Sequence, residues 1–142
     1  MKKNSHNLFL QSLICGSIGL FLIAVFFVME HLAPFGNKSL VAADASIQYM
    51  DFFSYLKDVL TDKNSFNYSF SNGLGGSGIV IFSYYLASPI NLLVLLFSKS
   101  NLQSFYDLAV AIKLSLAIAT FSYYLQKRLQ RRAMERMGGR NR

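Results

Sequence analysis

The sequence is poor in the residues that build disulfides, metal clusters and soluble surfaces. Its 142 residues include one cysteine, two histidines and no tryptophan, and only 15% of them are charged. Cys15 has no second cysteine to pair with and no metal-ligand spacing around it. Neither histidine stands in a nucleophile arrangement with a serine or cysteine. The chain also lacks a haem, flavin or nucleotide signature, so none of these cofactors is indicated.

Apolar and aromatic residues are abundant instead. Hydrophobic residues make up 53% of the chain, which has 13 phenylalanines and 8 tyrosines, and the mean hydropathy is +0.34. A soluble domain of ordinary composition carries about 25% charged residues. Aromatic side chains suit lipid contact and anchoring at headgroup level. The composition therefore predicts an all-α integral membrane protein.

The positive charge is concentrated at one end of the chain. The formal net charge is +7, and half of the 14 basic residues follow Leu125: Lys127, Arg128, Arg131, Arg132, Arg136, Arg140 and Arg142. A basic cluster beside a membrane segment is typical of a cytoplasmic topology signal that contacts anionic lipid. Membrane lipid is therefore the expected partner, and nucleic acid is not.

The first apolar segment, residues 8–29, contains no charged residue. At about 1.5 Å per residue it would extend roughly 33 Å, enough to cross a bilayer. Two lysines precede it, which favours a cytoplasmic N-terminus at residues 1–7. The segment is longer than the roughly 7–15 apolar residues of a cleaved signal peptide, so it is predicted to be an uncleaved anchor.

Two further apolar segments follow. Residues 79–97 contain Pro89, which predicts either one kinked spanning helix or two shorter pieces that re-enter the membrane. Residues 105–125 form the third segment, and a basic tail, residues 126–142, is expected to be disordered. Three crossings would place this tail outside, against the positive-inside rule, whereas two would place it in the cytoplasm. Both topologies stay open at this point.

The segment between the first two apolar runs, residues 30–78, is predicted to be extracytoplasmic. An amphipathic helix at about residues 46–61 is indicated because apolar residues recur along one helix face: Tyr49, Phe52, Phe53, Leu56, Val59 and Leu60. Such a helix would lie on the outer membrane surface or pack on neighbouring helices. A glycine-rich loop follows it, with Gly73, Gly75 and Gly76.

Three blocks of the sequence, in order, are Asp44–Asp58, Tyr68–Gly76 and Tyr84–Leu93. Together they resemble the YfhO family of bacterial membrane proteins. The resemblance implies a protein several-fold longer than this chain, with a glycosyltransferase-C-like fold, in the bacterial cell membrane. It also implies sugar transfer from undecaprenyl phosphate to a surface polymer such as lipoteichoic acid. The chain would be the N-terminal portion, with two to three transmembrane helices, and is expected to be inactive alone.

Asp44 is the candidate catalytic residue. In enzymes with the implied fold, an acidic residue of the first external loop commonly acts at the reaction centre. A carboxylate there could accept the proton of an acceptor hydroxyl, or hold a divalent cation against the carrier phosphate. The simpler alternative is that Asp44 caps the amphipathic helix. Asp51 and Asp58 follow at seven-residue spacing and are interpreted as a solvated face.

Further candidates concern the substrate. Gln48 and Tyr49 belong to the block that contains Asp44; Gln48 could hydrogen-bond a sugar or phosphate, and Tyr49 could instead be an interface anchor. The glycine loop could form a phosphate cradle or an ordinary turn, although it lacks the ending of a nucleotide P-loop. Lys113 could neutralise a carrier phosphate, pair with an acidic residue, or snorkel to the interface.

Two other function classes stay open. One is a small non-enzymatic multi-pass membrane protein that binds anionic lipid or a partner subunit through its basic tail. The other is a transporter fragment, which the charge within the third apolar segment supports weakly.

Overall fold

The computed structural model describes residues 2–68 and 75–138, and its elements are helical. In chain order they are α1 (Lys2–Met29), a π-helical turn (Ala45–Tyr49), α2 (Met50–Leu60), α3 (Gly78–Ile81), a second π-helical turn (Phe82–Leu86), a 3-10 helix (Pro89–Leu96), a 3-10 turn (Lys99–Asn101) and α4 (Leu102–Gly138). The predicted all-α class is confirmed.

Two helices are long and apolar enough to cross a membrane. They are Asn7–Met29, with a mean hydropathy of 2.5, and Lys99–Arg132, with 1.6. Most of their large apolar side chains are exposed, including Phe21, Leu22 and Phe121. Such all-round apolar surface is what a helix presents to lipid.

Both long helices extend beyond the apolar segments that predict them. α1 begins at Lys2 and α4 continues to Gly138. The prediction that the basic tail is disordered is therefore wrong for residues 126–138. The physical reason is composition, since this stretch is built mostly from strong helix formers and has no proline. Residues 139–142 lie outside the described part of the chain.

The chain divides into two compact units, and the first contains residues 1–26 and 111–142. In this unit α1 and α4 meet through small residues. Gly16 is buried, and a Cβ placed on it would lie 2.9 Å from the Cβ of Ala119 and 3.3 Å from the carbonyl oxygen of Ser115. Only a residue without a side chain allows this approach, as in other membrane helix pairs.

The second unit, Phe27–Val110, has an apolar core. Its buried members are Phe53, Leu56, Leu86, Val94, Leu102, Phe105 and Ala109. Tyr55 is also buried, although the sequence pattern does not place it on the apolar face of α2. Its hydroxyl donates a 2.7 Å hydrogen bond to the carbonyl of Ser65, and burial raises the pKa of the Tyr55 hydroxyl. This bond ties the loop that follows α2 back onto the helix.

The second apolar segment is bent between its two helical pieces. Gly78–Leu86 and Pro89–Leu96 meet at 104°, an angle that fits a broken span or a re-entrant loop. Ser88 is extended, as expected for a residue that precedes proline. The side-chain amide of Asn91 is fully buried and donates a 3.2 Å hydrogen bond to the Leu86 carbonyl. Asn91 thereby satisfies a carbonyl that the bend leaves without a helical partner.

α2 packs on this bent segment. The ammonium group of Lys57 donates hydrogen bonds to the carbonyls of Val94, Leu95 and Phe97, at the end of the 3-10 helix. The neighbouring Asp58 forms a 2.6 Å ion pair with Lys99. The sequence allows the amphipathic helix to lie on the membrane surface or to pack on neighbouring helices, and in the structure it packs on neighbouring helices.

We expect Gly16→Val to separate α1 from α4. Valine is at least as good a helix former as glycine, so a loss of stability must come from overpacking, which typically costs about 1–3 kcal/mol. Thermal unfolding of the chain in detergent, followed by circular dichroism, should show a lower midpoint. Ser17→Val, at the exposed neighbouring position, is the control. Equal midpoints for the two variants would contradict the close contact.

Lys57→Met should destabilise the second unit more than Lys99→Met does. The first change removes the donor for three terminal carbonyls, and hydrogen bonds to charged groups contribute about 1.5–3 kcal/mol. The second change removes an ion pair in which the Lys99 side chain is 50% exposed, and such pairs contribute about 0–1 kcal/mol. Denaturant unfolding of the two variants measures how much each loses in free energy of unfolding. A larger loss for the Lys99 variant would show that the ion pair matters more than the carbonyl contacts.

Candidate functional site

Asp44 lies at the start of the helical stretch that includes α2, and its side chain is exposed. It occupies the N-cap position of the first π-helical turn, but its side chain makes no capping hydrogen bond. The first amides of the turn bond instead to the backbone carbonyls of Ala42 and Ala43. The alternative in which Asp44 serves as a helix cap is therefore wrong, because its own helical backbone conformation does not direct the carboxylate at those amides.

Backbone strain precedes Asp44 directly. Ala43 has a φ of 48°, in the left-handed region that residues with a side chain seldom adopt. The hydroxyl of Ser46 donates a 2.7 Å hydrogen bond to the Ala43 carbonyl and helps to hold this conformation. Such strain clusters at functional sites, and it fixes the direction in which the chain enters the π-helical turn.

Gln48 and Tyr49 lie in the π-helical turn itself and face different surroundings. Gln48 is exposed, as Asp44 is, and four residues separate the two. Tyr49 is partly buried, and its ring packs edge-on against Tyr85 and Tyr106, with centroids 5.6 and 6.1 Å apart. Tyr49 is thus packed in an aromatic cluster of the second unit. π-helical turns are often found at functional sites.

A buried carboxylate that sequence reasoning left out of the site anchors the segment before Asp44. Asp107 is fully buried, and its Oδ1 accepts hydrogen bonds from the Ser39 hydroxyl at 3.0 Å and the Leu40 amide at 2.9 Å. The Ser39 hydroxyl in turn accepts a bond from the Val41 amide. Asp107 Oδ2 has no hydrogen-bond partner among the described residues. The signal in the sequence was an acidic residue inside an apolar segment.

The glycine loop is described only in part. Gly73 lies outside the described residues. Gly75 has a φ of 106°, and a Cβ there would lie 2.3 Å from the Tyr68 hydroxyl, so both conformation and space require glycine. Gly76 faces open space, with nothing within 4 Å of a built Cβ. The group that closely approaches the Gly75 backbone is thus the Tyr68 side chain of the same protein.

The remaining candidates lie elsewhere. Lys113 is exposed on the part of α4 that belongs to the first unit, whereas Asp44, Gln48 and Tyr49 belong to the second. Asp58 is paired with Lys99 and is not a freely solvated charge. Within residues 2–68 and 75–138, no group of three or more His, Cys, Asp or Glu side chains could hold a metal ion.

We expect Asp107→Ala to release the segment that precedes Asp44. The change removes the acceptor of two hydrogen bonds, and a donor left unsatisfied costs about 1–3 kcal/mol, or roughly fivefold to 150-fold in local protection. Hydrogen exchange at the Leu40 amide should accelerate by that factor. Asp107→Asn keeps an oxygen that can accept and should show a smaller effect. Unchanged exchange at Leu40 in the alanine variant would refute the anchor.

The model of the family described as bacterial membrane protein YfhO matches residues 17–137. The match therefore includes the exposed Asp44, both π-helical turns and the buried Asp107. No curated protein and no solved structure matches the chain. Because the matched region covers most of the sequence, the chain belongs to the YfhO family of bacterial membrane proteins.

Proposed function

We propose that this chain contributes the acceptor-activating part of a glycosyltransferase-C-like enzyme, which transfers a sugar from undecaprenyl phosphate to a surface polymer such as lipoteichoic acid. The observation that carries the proposal is the state of Asp44. Its carboxylate is exposed, makes no capping bond and directly follows a strained residue. An acidic group held in a defined place without a structural task is suited to chemistry.

Asp44 acts as the general base in this proposal. It accepts the proton of the acceptor hydroxyl as that oxygen attacks the anomeric carbon of the sugar, and the bond from that carbon to the carrier phosphate breaks. The phosphate leaves with the electron pair. The exposed Gln48, four residues later, donates a hydrogen bond to the sugar or phosphate. Gly73, Gly75 and Gly76 are candidates for contact with the carrier phosphate.

The membrane arrangement follows from the two long helices. If α1 and α4 are the crossings and the bent segment re-enters, the lysines at the N-terminus and the basic end of α4 share the cytoplasmic side. That arrangement satisfies the positive-inside rule, which three crossings would violate. Asp44 then lies on the outer side of the bacterial cell membrane, where a lipid-linked sugar donor and a surface polymer would meet.

The test is an Asp44→Asn change in the chromosomal gene, with sugar decoration of the surface polymers measured by mass spectrometry. Loss of the base should reduce decoration by about 100-fold or more, because general base catalysis typically contributes 10²–10⁴-fold. Asp51→Asn is the matched control, since Asp51 is also exposed and lies seven residues further along the same helical stretch. Normal decoration with Asp44→Asn, at equal protein abundance, would refute the proposal.

A further inference from the structure

The end of the apolar part of α4 carries a groove that the proposed function does not use. Tyr124, Lys127, Arg128 and Arg131 line a cavity of about 370 Å³. Their spacing of three, four and seven residues from Tyr124 places them on one face of the helix. All four side chains are exposed, so the groove is open to the surroundings of the helix.

The side chains that line the groove carry three positive charges and no negative one. The sequence has no acidic residue between Asp107 and Glu135. The side chains of residues 7–68 and 75–132 are described, and among them one ion pair forms, between Lys99 and Asp58. Lys127, Arg128 and Arg131 take no part in it. Three cations lie on this face, and the one acidic residue near them along the chain is Glu135, four positions after Arg131. The positive excess favours an anionic ligand.

Contacts within the groove hold its donors in place. Arg128 Nη1 donates a 2.6 Å hydrogen bond to the Tyr124 hydroxyl, and the guanidinium lies 6.0 Å from the centre of the Tyr124 ring. The Lys127 ammonium lies 5.7 Å from the centre of the Tyr123 ring. The Tyr124 oxygen accepts from Arg128 and therefore keeps its own proton for a ligand. A guanidinium fork beside a hydroxyl donor matches the oxygens of a phosphate group.

The position along α4 identifies the source of that phosphate. Tyr124 and Leu125 end the apolar segment, where tyrosine is typical of the membrane interface. Lys127 and Arg128 follow roughly 4.5–6 Å further along the helix, and Arg131 about 10 Å further. The headgroup layer adds about 5–7 Å to each side of the hydrocarbon core. The first two cations therefore lie at the depth of lipid phosphates.

We infer that this groove binds the headgroup of an anionic phospholipid. Lys127 and Arg128 contact the phosphate oxygens, Arg131 supplies a further positive charge beyond them, and the Tyr124 hydroxyl donates a hydrogen bond. A zwitterionic lipid carries its own cation beside the phosphate and gains less from the three positive charges. The site is independent of the sugar-transfer reaction, and its occupancy does not require Asp44.

The experiment uses the purified 142-residue chain in a non-ionic detergent. Thermal unfolding is followed during titration with phosphatidylglycerol, with phosphatidylcholine of the same acyl chains, and with inorganic phosphate. Phosphatidylglycerol should raise the midpoint in a saturable manner, and the other two should not. Arg128→Gln with Arg131→Gln should raise the half-saturating concentration about 25-fold, since each cation near an anionic surface contributes about fivefold.

Arg132→Gln is the matched control. It removes the same charge one position further along α4, but Arg132 is not among the residues that line the groove, so an effect below about twofold is expected. Tyr124→Phe keeps the ring and removes the hydroxyl, and should weaken binding severalfold. If the double variant unfolds, the single arginine variants are compared with Arg132→Gln by native mass spectrometry. This method counts the phosphatidylglycerol molecules that stay bound to the folded protein.

Three results would overturn the inference. If Arg132→Gln weakens phosphatidylglycerol binding as much as Arg128→Gln does, the effect comes from diffuse positive charge and not from a site. Equal stabilisation by phosphatidylcholine would show that the negative charge is not recognised. Stabilisation by inorganic phosphate at the same concentrations would assign the groove to a soluble anion in place of a lipid.

Discussion

The second unit depends on one buried carboxyl group. Asp107 lies inside the apolar segment of α4, where an ionisable group is costly, and it accepts the Ser39 hydroxyl and the Leu40 amide. These bonds join residues that are 67 and 68 positions apart in sequence and so fix the path of the chain between α1 and the first π-helical turn. Asp44 follows this anchored segment, and its side chain is exposed.

The need to pair buried polar groups also explains how the apolar segment can bend. Backbone carbonyls released by a break in a helix must find other donors where water is scarce. Asn91 supplies a donor to Leu86 on the inner side of the bend, and Lys57 supplies one to the carbonyls at its far end. These bonds satisfy the carbonyls of Leu86 and Phe97, at the break and at the end of the second short piece.

Much of this architecture could be predicted from the sequence, because composition and hydrophobic runs report directly on lipid exposure. The α-helical class, the two long apolar segments and the amphipathic α2 follow from such patterns. The extent of α4 did not, since its basic end has high helix propensity but no apolar run to mark it. Sequence patterns do not show that Asp44 makes no capping bond, because this depends on backbone conformation. They also do not show that Tyr55 is buried, because this depends on contacts distant in sequence.

The site residues divide in the same way. Asp44 and Gln48 were found through the resemblance of their block to a family, and the structure leaves both side chains exposed. Asp107 was visible as an acidic residue in an apolar segment, but nothing local identified Ser39 and Leu40 as its partners. The groove at Tyr124, Lys127, Arg128 and Arg131 was visible only as a basic tail, because its shape requires the helix to continue past the apolar segment.

The two π-helical turns have a consequence for how this region tolerates change in length. A π-helical turn holds one residue more between hydrogen-bonded groups than an α-helical turn does. In the turn that contains Gln48 and Tyr49, the polar side chain is exposed and the next one packs against Tyr85. Deletion of one residue within Ala45–Tyr49 would leave the apolar core of α2 in place but turn Asp44 by about 100° relative to it, so the direction of this carboxylate depends on the length of the turn.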